Sequence, residues 1–395
     1  MNEKEKHIFI MGSKGLMRNY GGWETFVKNL LNNWQDESYQ FYVPEIVHSR
    51  LDEKMVNYNG IICPQIYAPK IGGATMVVFC AKAFLGALDY VKKNTLENVI
   101  FYILGLRIGP LVYLYRKKIN VLGVKIIINP DGMEWKRSKW NTIVKSYFLF
   151  SEMAMYRSSD LIICDSQVIE SYIRKKYAKV NLNTTYISYG AIVHDKAALF
   201  QITLDYFHTY NMRSNSYYLL VGRFVPENNY QLIIEEFMQS TTTLDLVIIC
   251  NVEINKFYIK LKDQTHFDMD SRIKFVGTVY NQSLLTQIRN HAFAYIHGHS
   301  AGGTNPSLLE ALGTTKINIL FDAEFNREVG ANAAEYFGDK KGSLVETLLR
   351  VESFPQTKVE ILSEKAKTII RTKYSWCLVV DRHIEAFESL LKSKF

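Results

Sequence analysis

The hydrophobic pattern of this chain alternates short apolar runs with stretches of helical periodicity. In the first half, the runs that predict strands are His7–Met11, Gln40–Val43, Gly60–Ile62, Val99–Leu104, Lys125–Ile128, Leu161–Cys164 and Thr185–Ser188. In the second half they are Tyr217–Gly222, Leu244–Cys250, Ile273–Val276, Ala292–Ile296 and Ile317–Phe321. Short apolar strands separated by helices are typical of parallel α/β units. The pattern therefore predicts an α/β protein with a parallel sheet in each half.

Two helices have a clear amphipathic signal. Between the first two predicted strands, apolar residues recur every three or four positions, which places them on one face of a helix. These residues are Trp23, Phe26, Val27, Leu30, Leu31 and Trp34. The stretch from Trp376 to Leu391 has the same periodicity and predicts a final amphipathic helix.

The chain has 395 residues, more than one hydrophobic core usually supports, so two domains are expected. We predict one α/β domain over residues 1–195 and a second over residues 210–375. The stretch from about residue 192 to residue 216 is interpreted as their connection. Residues 376–395 hold the final helix.

Composition narrows the class of protein. Hydrophobic residues make up 48% of the chain and charged residues 22%, as in a folded globular protein. The five cysteines are scattered, which argues against a disulfide framework and a zinc site and favours a reducing compartment. The N-terminus lacks the apolar core of a signal peptide, so export is not expected. The nearest candidate for a membrane span, Val99–Leu114, is broken by Arg107 and Pro110, so no spanning helix is expected.

Positive charge is concentrated in the first half of the chain. Residues 1–190 hold 25 lysines and arginines against 16 aspartates and glutamates, whereas the remaining residues hold 22 against 23. The basic clusters are Lys92-Lys93, Arg116-Lys117-Lys118, Lys136-Arg137 with Lys139, and Arg174-Lys175-Lys176. Basic and apolar groups together favour binding to an anionic membrane surface, and a solvated protein face is the alternative. No nucleic-acid-binding motif accompanies the charge, so nucleic acid is not an expected partner.

A glycine-rich segment, Gly12–Glu24, lies between the first predicted strand and the first predicted helix. It contains Gly15, Gly21 and Gly22, which permit positive φ and close backbone approach. Its amides and the helix N-terminus are predicted to face an anion, although a flexible turn is the alternative. The glycine spacing differs from that of the dinucleotide-binding fingerprint, so a dehydrogenase is disfavoured.

A second glycine-rich segment, Gly298–Gly313, follows a predicted strand of the second half. Asn305 and Pro306 are suited to begin a helix, and the Gly303-Thr304 amides then lie at its positive end. This arrangement is interpreted as a phosphate site. Glu310 lies one turn inside, where its carboxylate can accept ribose hydroxyls. The alternative is a well-capped helix with an exposed glutamate.

Two further segments follow predicted strands. Arg223 lies directly after one of them, where a guanidinium can bind a diphosphate through two hydrogen bonds, although a surface arginine is the usual alternative. Asp131 and Glu134 lie in Asn129–Arg137, after another. Ligands of α/β proteins bind at the carboxyl edge of the sheet, so these carboxylates are candidates for holding an acceptor hydroxyl. A turn-forming Asp-Gly pair is the alternative.

Taken together, these residues resemble the retaining glycosyltransferases of family 4, which have the GT-B fold. The resemblance is closest to the bacterial rhamnosyltransferase-type branch that builds capsular and cell-wall polysaccharides. The matching segments are Gly12–Glu24, Asn129–Trp140, Val221–Tyr230, Phe275–Tyr280, His297–Gly313 and Phe325–Val329. The resemblance implies two Rossmann-like domains whose parallel sheets face each other across a cleft. It also implies that the final helix crosses back to the N-terminal domain.

The resemblance implies a role for each candidate residue. The N-terminal domain would bind the acceptor and the C-terminal domain the nucleotide-sugar. The implied donor-binding residues are Gly15, Gly21, Gly22, Arg223, Gly303, Thr304, Asn305, Glu310 and Arg327. The implied acceptor-binding residues are Glu24, Asp131, Glu134 and Trp135, and the implied catalytic residues are Arg223, Asp131 and Glu310.

The chain departs from the wider family at two positions. Asn228 stands where most members have a lysine that contacts the diphosphate, and Gly302 stands where they have a first glutamate. Lys14, Arg18 or Arg327 are candidates to supply the missing positive charge. Both departures resemble the rhamnosyl branch.

The activity implied is transfer of L-rhamnose from dTDP-rhamnose to a lipid-diphosphate-linked saccharide, with retention of configuration. The leaving diphosphate helps to deprotonate the acceptor hydroxyl, so neither a metal nor another cofactor is expected. Asp268-Met269-Asp270 has the spelling of a metal motif but lies in a polar connector. The alternatives are a UDP-hexose donor, or a sugar-nucleotide-binding protein without catalysis. The expected location is the cytoplasm, peripherally at the inner face of the plasma membrane, and the oligomeric state is not predicted.

Overall fold

The structure is a computed structural model that describes residues 5–17, 21–130, 132, 134–136, 140–195, 199–252 and 256–393. Its residue contacts divide the chain into two compact units. Unit 1 comprises Met1–Tyr189 and Trp376–Phe395, and unit 2 comprises Gly190–Ser375. The chain therefore leaves unit 1 once and returns to it at its C-terminal segment.

Unit 1 is built on a sheet of nine strands. These are β1 (Lys6–Met11), β2 (Tyr39–Tyr42), β3 (Glu45–Val47), β4 (Met55–Tyr58), β5 (Ile61–Tyr67), β6 (Val99–Leu104), β7 (Lys125–Asn129), β8 (Leu161–Cys164) and β9 (Thr184–Tyr186). Its helices are α1 (Gly22–Asn32), α2 (Thr75–Asn94), α3 (Gly109–Val121), α4 (Thr142–Ser158) and α5 (Gln167–Lys176). The strand order is β3-β5-β2-β1-β6-β7-β8-β9, with β4 antiparallel to β5. β6 and β7 are buried along their whole length, as expected for parallel strands covered on both faces.

Unit 2 contains a parallel sheet of six strands. Its elements are α6 (Gln201–Thr209), β10 (Tyr217–Val221), α7 (Tyr230–Gln239), β11 (Asp245–Ile249), α8 (Lys256–Thr265), β12 (Ile273–Phe275), α9 (Gln282–Asn290), β13 (Ala294–His297), α10 (Pro306–Leu312), β14 (Asn318–Phe321), α11 (Glu324–Gly330), β15 (Glu335–Phe337), α12 (Ser343–Glu352) and α13 (Gln356–Lys373). The order β12-β11-β10-β13-β14-β15 is that of a Rossmann-type sheet. The direction of strand progression therefore reverses between β10 and β13.

The last helix, α14 (Trp376–Lys392), packs in unit 1. The hydroxyl of Tyr102, on β6, lies 3.3 Å from Nε2 of His383. Near the other end of the helix, Nζ of Lys6 lies 3.1 Å from the Glu388 carboxylate. His383 is fully buried, so α14 contributes to the hydrophobic core of unit 1.

All the strands predicted from the apolar runs are present, with ends shifted by a few residues. The predictions missed β3, β4 and β15, which are three or four residues long. Residues 192–216, interpreted from the sequence as a connection, belong to unit 2. This stretch contains α6, and Phe207 of α6 is buried in the core of unit 2.

One described helical stretch, Gly72–Asn94, is long and apolar enough to cross a membrane by length and mean hydropathy alone. The search for uninterrupted apolar runs missed it because Lys82 and Asp89 interrupt it. Its residues Phe79, Phe84 and Leu88 lie in the hydrophobic core of unit 1. A helix of a protein core passes the same test, so the finding is weak support for a span.

Candidate functional site

The candidate site in unit 2 lies where the strand order reverses. β10 and β13 are parallel neighbours, with Tyr218 opposite Ala294. The segments that follow them, beginning at Gly222 and Gly298, therefore emerge side by side at the carboxyl edge of the sheet. Ligands of open α/β sheets bind in the crevice at such a reversal. The fold thus brings together two segments that the sequence analysis selected separately.

Hydrogen bonds join these two segments directly. Nδ2 of Asn228 donates to the carbonyl oxygen of Arg223 at 2.7 Å, and Oδ1 of Asn228 lies 2.8 Å from Nδ1 of His299. Nδ2 of Asn229 donates to the carbonyl oxygen of Gly298 at 2.9 Å. Asn228 thus ties one loop to the other through its side chain.

A second set of contacts closes the floor of the site. The hydroxyls of Tyr295 and Ser307 each lie 3.3 Å from the carbonyl oxygen of Val221, the last residue of β10. The Tyr295 hydroxyl also lies 3.1 Å from Nδ1 of His297. Burial, together with the nearby His299, holds the pKa of His297 well below its ordinary value of 6.5, so this imidazole is neutral. The floor is therefore a set of neutral groups that hold β10, β13 and α10 in register.

Arg223 has an exposed side chain. Its carbonyl oxygen is bound by Asn228, which fixes the backbone at that position. Its guanidinium forms no ion pair or hydrogen bond with any residue that the structure describes. Because arginine stays charged at all working pH values, this side chain is available to an anion.

The carboxylate of Glu310 forms an ion pair with a buried arginine, Arg289. Nη2 of Arg289 lies 2.6 Å from Oε2 of Glu310, and the side chain of Arg289 is only 3% exposed whereas that of Glu310 is 29% exposed. Arg289 is the next-to-last residue of α9, and its Nη2 also donates to Oγ of Ser307 at 3.3 Å. The carboxylate therefore has one buried partner and one side open to a ligand.

The loop before α10 has the predicted local chemistry. The side-chain oxygen of Asn305 accepts a hydrogen bond from the amide of Ser307 at 2.9 Å, so Asn305 caps α10 at its start. Gly302 has a φ of +136°, and a β-carbon there would lie 3.1 Å from Nε2 of His299. A side chain at position 302 is therefore disfavoured in this loop conformation.

The side chain of Arg327 is already paired with Asp322, another residue of unit 2. Its Nη2 lies 2.7 Å from Oδ2 of Asp322, and its guanidinium lies 4.4 Å from the centre of the Tyr336 ring. The Arg327 guanidinium lowers the pKa of the Asp322 carboxyl, so the pair is charged and internally compensated. Of the other candidates for the missing cation, Lys14 lies in unit 1 with an exposed side chain, and Arg18 lies outside the described residues.

In unit 1, the glycine-rich loop has a different character from the one predicted. The amide of Lys14 donates to Oε1 of Glu24 at 2.7 Å. The amides of Leu16 and Met17 donate to Oε1 of Glu45, the latter at 3.1 Å. Both carboxylates are buried. These amides therefore bind carboxylates of the protein, and this described part of the loop does not offer them to an anion.

The glycines of this loop have conformations that other residues disfavour. Gly15 has a φ of +119° and Gly21 a φ of +139°. A β-carbon at Gly15 would lie 2.0 Å from Oε2 of Glu45, and one at Gly21 would lie 1.7 Å from Oε2 of Glu24. Gly22 begins α1 and is exposed. The glycines thus allow two buried carboxylates to approach the backbone.

Three of the predicted acceptor residues, Asp131, Glu134 and Trp135, follow β7 in the sequence. The fourth, Glu24, lies in the first turn of α1. Asp131 lies outside the described residues. Oε1 of Glu134 accepts a hydrogen bond from Nε1 of Trp140 at 3.0 Å. Nζ of Lys176 lies 5.2 Å from the centre of the Trp135 ring and 2.7 Å from Oε1 of the buried Glu152. Trp135 is therefore positioned by α5 as well as by its own segment.

Sequence reasoning missed two residues of these sites, Glu45 and Arg289, and gave no role to His299, which lies in the selected segment His297–Gly313. Glu45 is the first residue of the short strand β3, which gave no apolar signal. Arg289 carried a weak signal, since it is a charged residue at the end of the amphipathic helix α9. Neither is close in sequence to the residue that it contacts.

The metal-like spelling at residues 268–270 is explained by ion pairs. Oδ2 of Asp268 lies 3.0 Å from Nζ of Lys262, and Oδ2 of Asp270 lies 2.6 Å from Nη2 of Arg272. Among the residues described, no cluster of three or more His, Cys, Asp or Glu side chains is arranged to hold a metal ion.

Comparison with known proteins gives a family match for the first half and structural matches for the whole chain. Residues 5–192 match the family described as "Domain of unknown function (DUF1972)". No curated protein matches the sequence. The chain is similar to sucrose-phosphate synthase from Thermosynechococcus elongatus, with 12% identity, a TM-score of 0.78, and coverage of 99% of this chain and 100% of that one.

Two further structures match over nearly their full length. A glycosyltransferase from Rickettsia africae ESF-5 has 13% identity and a TM-score of 0.74, with coverage of 99% of this chain and 100% of that one. Anabaena Alr3699/HepE, in complex with UDP and glucose, has 13% identity and a TM-score of 0.73, with coverage of 98% and 100%. At these identities the matches establish the fold. The prediction of an α/β protein with the GT-B fold is confirmed.

Proposed function

We propose that this protein is a retaining glycosyltransferase that moves L-rhamnose from dTDP-rhamnose to a lipid-diphosphate-linked saccharide. The reaction belongs to the assembly of a bacterial capsular or cell-wall polysaccharide. The enzyme works in the cytoplasm, peripherally at the inner face of the plasma membrane. The observation that carries the proposal is the adjacency of the Arg223 and Gly298–Gly313 segments where the strand order of unit 2 reverses.

The donor is bound by groups that differ in charge. Arg223 binds the diphosphate, because its guanidinium is exposed and has no acidic partner among the described residues. The amides of Gly303 and Thr304, beside the cap residue Asn305, add neutral donors for the same phosphates. Glu310 accepts the ribose hydroxyls on its open side, while Arg289 holds it from the buried side.

Catalysis in this proposal rests on positioning and on charge stabilisation. As the bond from the sugar to the diphosphate breaks, negative charge grows on the leaving oxygen next to Arg223. A preorganised guanidinium lowers the energy of that transition state, since it does not need to reorient. The leaving diphosphate takes the proton of the acceptor hydroxyl, which attacks from the same face of the sugar. Retention then requires no protein nucleophile and no metal.

The acceptor binds to unit 1 in the proposal, near Glu24, Asp131, Glu134 and Trp135. The buried carboxylates Glu24 and Glu45 make the described part of the glycine-rich loop acidic. Such a loop is suited to sugar hydroxyls and disfavours a second phosphate, because like charges repel. We therefore do not assign the described part of this loop to the diphosphate, which binds to unit 2 in the proposal.

A donor panel tests the proposal. Purified protein is incubated with dTDP-rhamnose and several UDP-sugars, in the presence of membranes carrying lipid-linked glucose and with or without EDTA. The expected result is transfer of rhamnose to lipid from dTDP-rhamnose, unchanged by EDTA. Binding of a nucleotide without transfer from any donor would instead make this a non-catalytic sugar-nucleotide-binding protein.

A UDP-hexose donor is the second candidate. It is favoured by the match to Anabaena Alr3699/HepE, whose structure holds UDP and glucose. In the same panel, transfer from UDP-glucose but not from dTDP-rhamnose selects this candidate and leaves the roles of Arg223 and Glu310 unchanged.

A further inference from the structure

Helix α3 presents an apolar stripe to solvent. Tyr113, Leu114 and Val121 are exposed, with Leu114 at 76% and Val121 at 86%. Lys117 and Lys118 lie between them and are also exposed. Residues three, four or seven positions apart share one face of a helix, so this stripe combines large apolar groups with two lysines.

Helix α4 has a similar stripe. Ile143, Tyr147 and Phe150 follow the same helical spacing, and Ile143 is 81% and Phe150 54% exposed. A single exposed apolar residue is ordinary, but two such stripes on one protein surface mark an interaction site.

The two helices are direct neighbours near the start of α3. The amide of Gly109, at the start of α3, donates to Oγ of Ser151 on α4 at 2.9 Å. A β-carbon at Gly109 would lie 2.1 Å from the carbonyl oxygen of Ser151, which shows how closely the helices approach. The hydroxyl of Tyr147 also donates to the carbonyl oxygen of Arg107, just before α3, at 2.6 Å.

The charge on these helices has one sign. Together α3 and α4 contain five basic residues and one acidic residue, Glu152. Glu152 is buried and paired with Lys176. Neither Lys117 nor Lys118 is paired with a carboxylate of the described residues. The exposed surface of the two helices is therefore apolar and positive, with no exposed acidic group.

Several basic residues of unit 1, including Arg116 of α3, are paired with carboxylates. Arg116 donates to the Asp160 carboxylate at 3.0 Å, Arg174 lies 2.9 Å from Glu170, and Lys176 is held by Glu152. Overall net charge therefore does not by itself point to a binding surface. The combination of free lysines with exposed apolar side chains singles out α3 and α4.

We propose that the exposed face of α3 and α4, centred on Leu114 and Lys118, docks the protein on an anionic phospholipid surface. The apolar side chains enter the boundary between headgroups and acyl chains, and the lysines contact the anionic headgroups. The inference rests on the proposed function for its purpose, which is to bring the enzyme to a lipid-linked acceptor. Vesicle binding itself is measured without donor or acceptor, so the two hypotheses fail separately.

The test is co-sedimentation of the full-length protein with vesicles of phosphatidylcholine, with and without phosphatidylglycerol. The test variant is Leu114→Ser combined with Lys118→Glu. The matched control is Ile361→Ser combined with Lys365→Glu, on α13 of unit 2. It also changes an exposed aliphatic residue and a lysine four positions later. We expect binding only to vesicles with phosphatidylglycerol, and we expect high salt to weaken it. The test variant should bind about tenfold or more weakly, and the control variant should bind as the unaltered protein does.

Several results would overturn the inference. One is absence of binding by the unaltered protein, and another is equal binding to vesicles without phosphatidylglycerol. Equal binding by the test variant would move any membrane contact to another surface. A dimer in sedimentation analysis that the test variant disrupts would instead assign the α3 and α4 face to a second copy of the chain.

Discussion

Arg289 and Glu310 form an ion pair in which the arginine is buried and the glutamate reaches the surface, with 2.6 Å between Nη2 and Oε2. The arrangement limits the rotamers of Glu310. In the proposed function, Arg289 does not touch the ligand but orients Glu310, which does. Within the proposed function, Arg289 is a positioning residue.

Replacing Arg289 with glutamine is expected to raise the KM for the donor about tenfold, equivalent to about 1.4 kcal/mol, with a much smaller change in kcat. The reason is that Glu310 loses its fixed orientation toward the ribose, which is remote from the bond that breaks. Steady-state kinetics with the donor as the varied substrate measure both constants.

A double-mutant cycle separates positioning from a general loss of stability. Arg289→Gln and Glu310→Gln should be strongly non-additive, because each removes the same interaction. The control is Arg350→Gln, which breaks the exposed pair of Arg350 with Glu335 in the same unit. Additive effects of the first two changes, or an equal effect of the control, would contradict a positioning role.

Arg223→Ala is expected to reduce transfer by about a hundredfold or more while the protein remains folded. A preorganised donor to developing negative charge is worth about 2.7–4 kcal/mol in comparable sites. The measurement is kcat together with the circular dichroism spectrum. The control is Arg213→Ala, another exposed arginine of unit 2. Full activity of Arg223→Ala would refute the assignment of this residue to the diphosphate.

Gly15→Ala is expected to destabilise unit 1 by about 1–3 kcal/mol. Alanine disfavours the φ of +119°, and its β-carbon would displace Glu45 from the amides that it binds. All five tryptophans of the chain lie at positions 23, 34, 135, 140 and 376, in unit 1. Tryptophan fluorescence during urea unfolding therefore follows this unit.

The matched change for Gly15→Ala is Gly86→Ala. Gly86 is exposed within α2, and a β-carbon there meets no atom within 4 Å. Alanine at this site should stabilise unit 1 by about 0.5–1 kcal/mol, since it reduces the entropy of the unfolded chain. The same sign for both changes would contradict the role given to Glu45.

The stability of unit 1 should rise with pH between about 4 and 6.5. Burial lowers the pKa of His383 from 6.5 to about 4. Within this range the unfolded chain binds a proton at His383 and the folded chain does not, so acid favours unfolding. The shift corresponds to about 3 kcal/mol. Urea unfolding followed by tryptophan fluorescence across this range measures it.

His383→Gln removes the titrating group while keeping a side chain of similar size. In this variant the slope of the free energy of unfolding against pH should fall. Other groups with lowered pKa values, such as His7, account for the slope that remains. An unchanged slope would show that His383 does not carry the effect.

The parts of the fold that were predicted are those with strong local signals. β6 and β7 are uninterrupted apolar strands, and the apolar period from Trp23 to Trp34 marks α1. β4 was missed because its residues are mostly exposed, so no apolar run marks it. β15 has only three residues and is a strand because β14 pairs with it. Its own composition gives no strand signal, so it was missed.

The candidate site divides in the same way. Arg223 and Glu310 were found because they lie in glycine-containing segments directly after strands, where local sequence carries the information. The pairing of Glu310 with Arg289 was missed because it depends on how α9 and α10 pack. Likewise, no local pattern indicated that Glu45 binds the loop amides, so that loop was interpreted as an anion site.

The placement of α14 has a consequence for biosynthesis. Unit 2 has all of its residues once the ribosome has added Ser375. Unit 1 begins earlier, but it still lacks the helix that brings His383 against Tyr102. Domains fold largely as units during synthesis. The first unit to be started is therefore the last to be completed. Until α14 is added, the part of the core that this helix covers is accessible to chaperones and proteases.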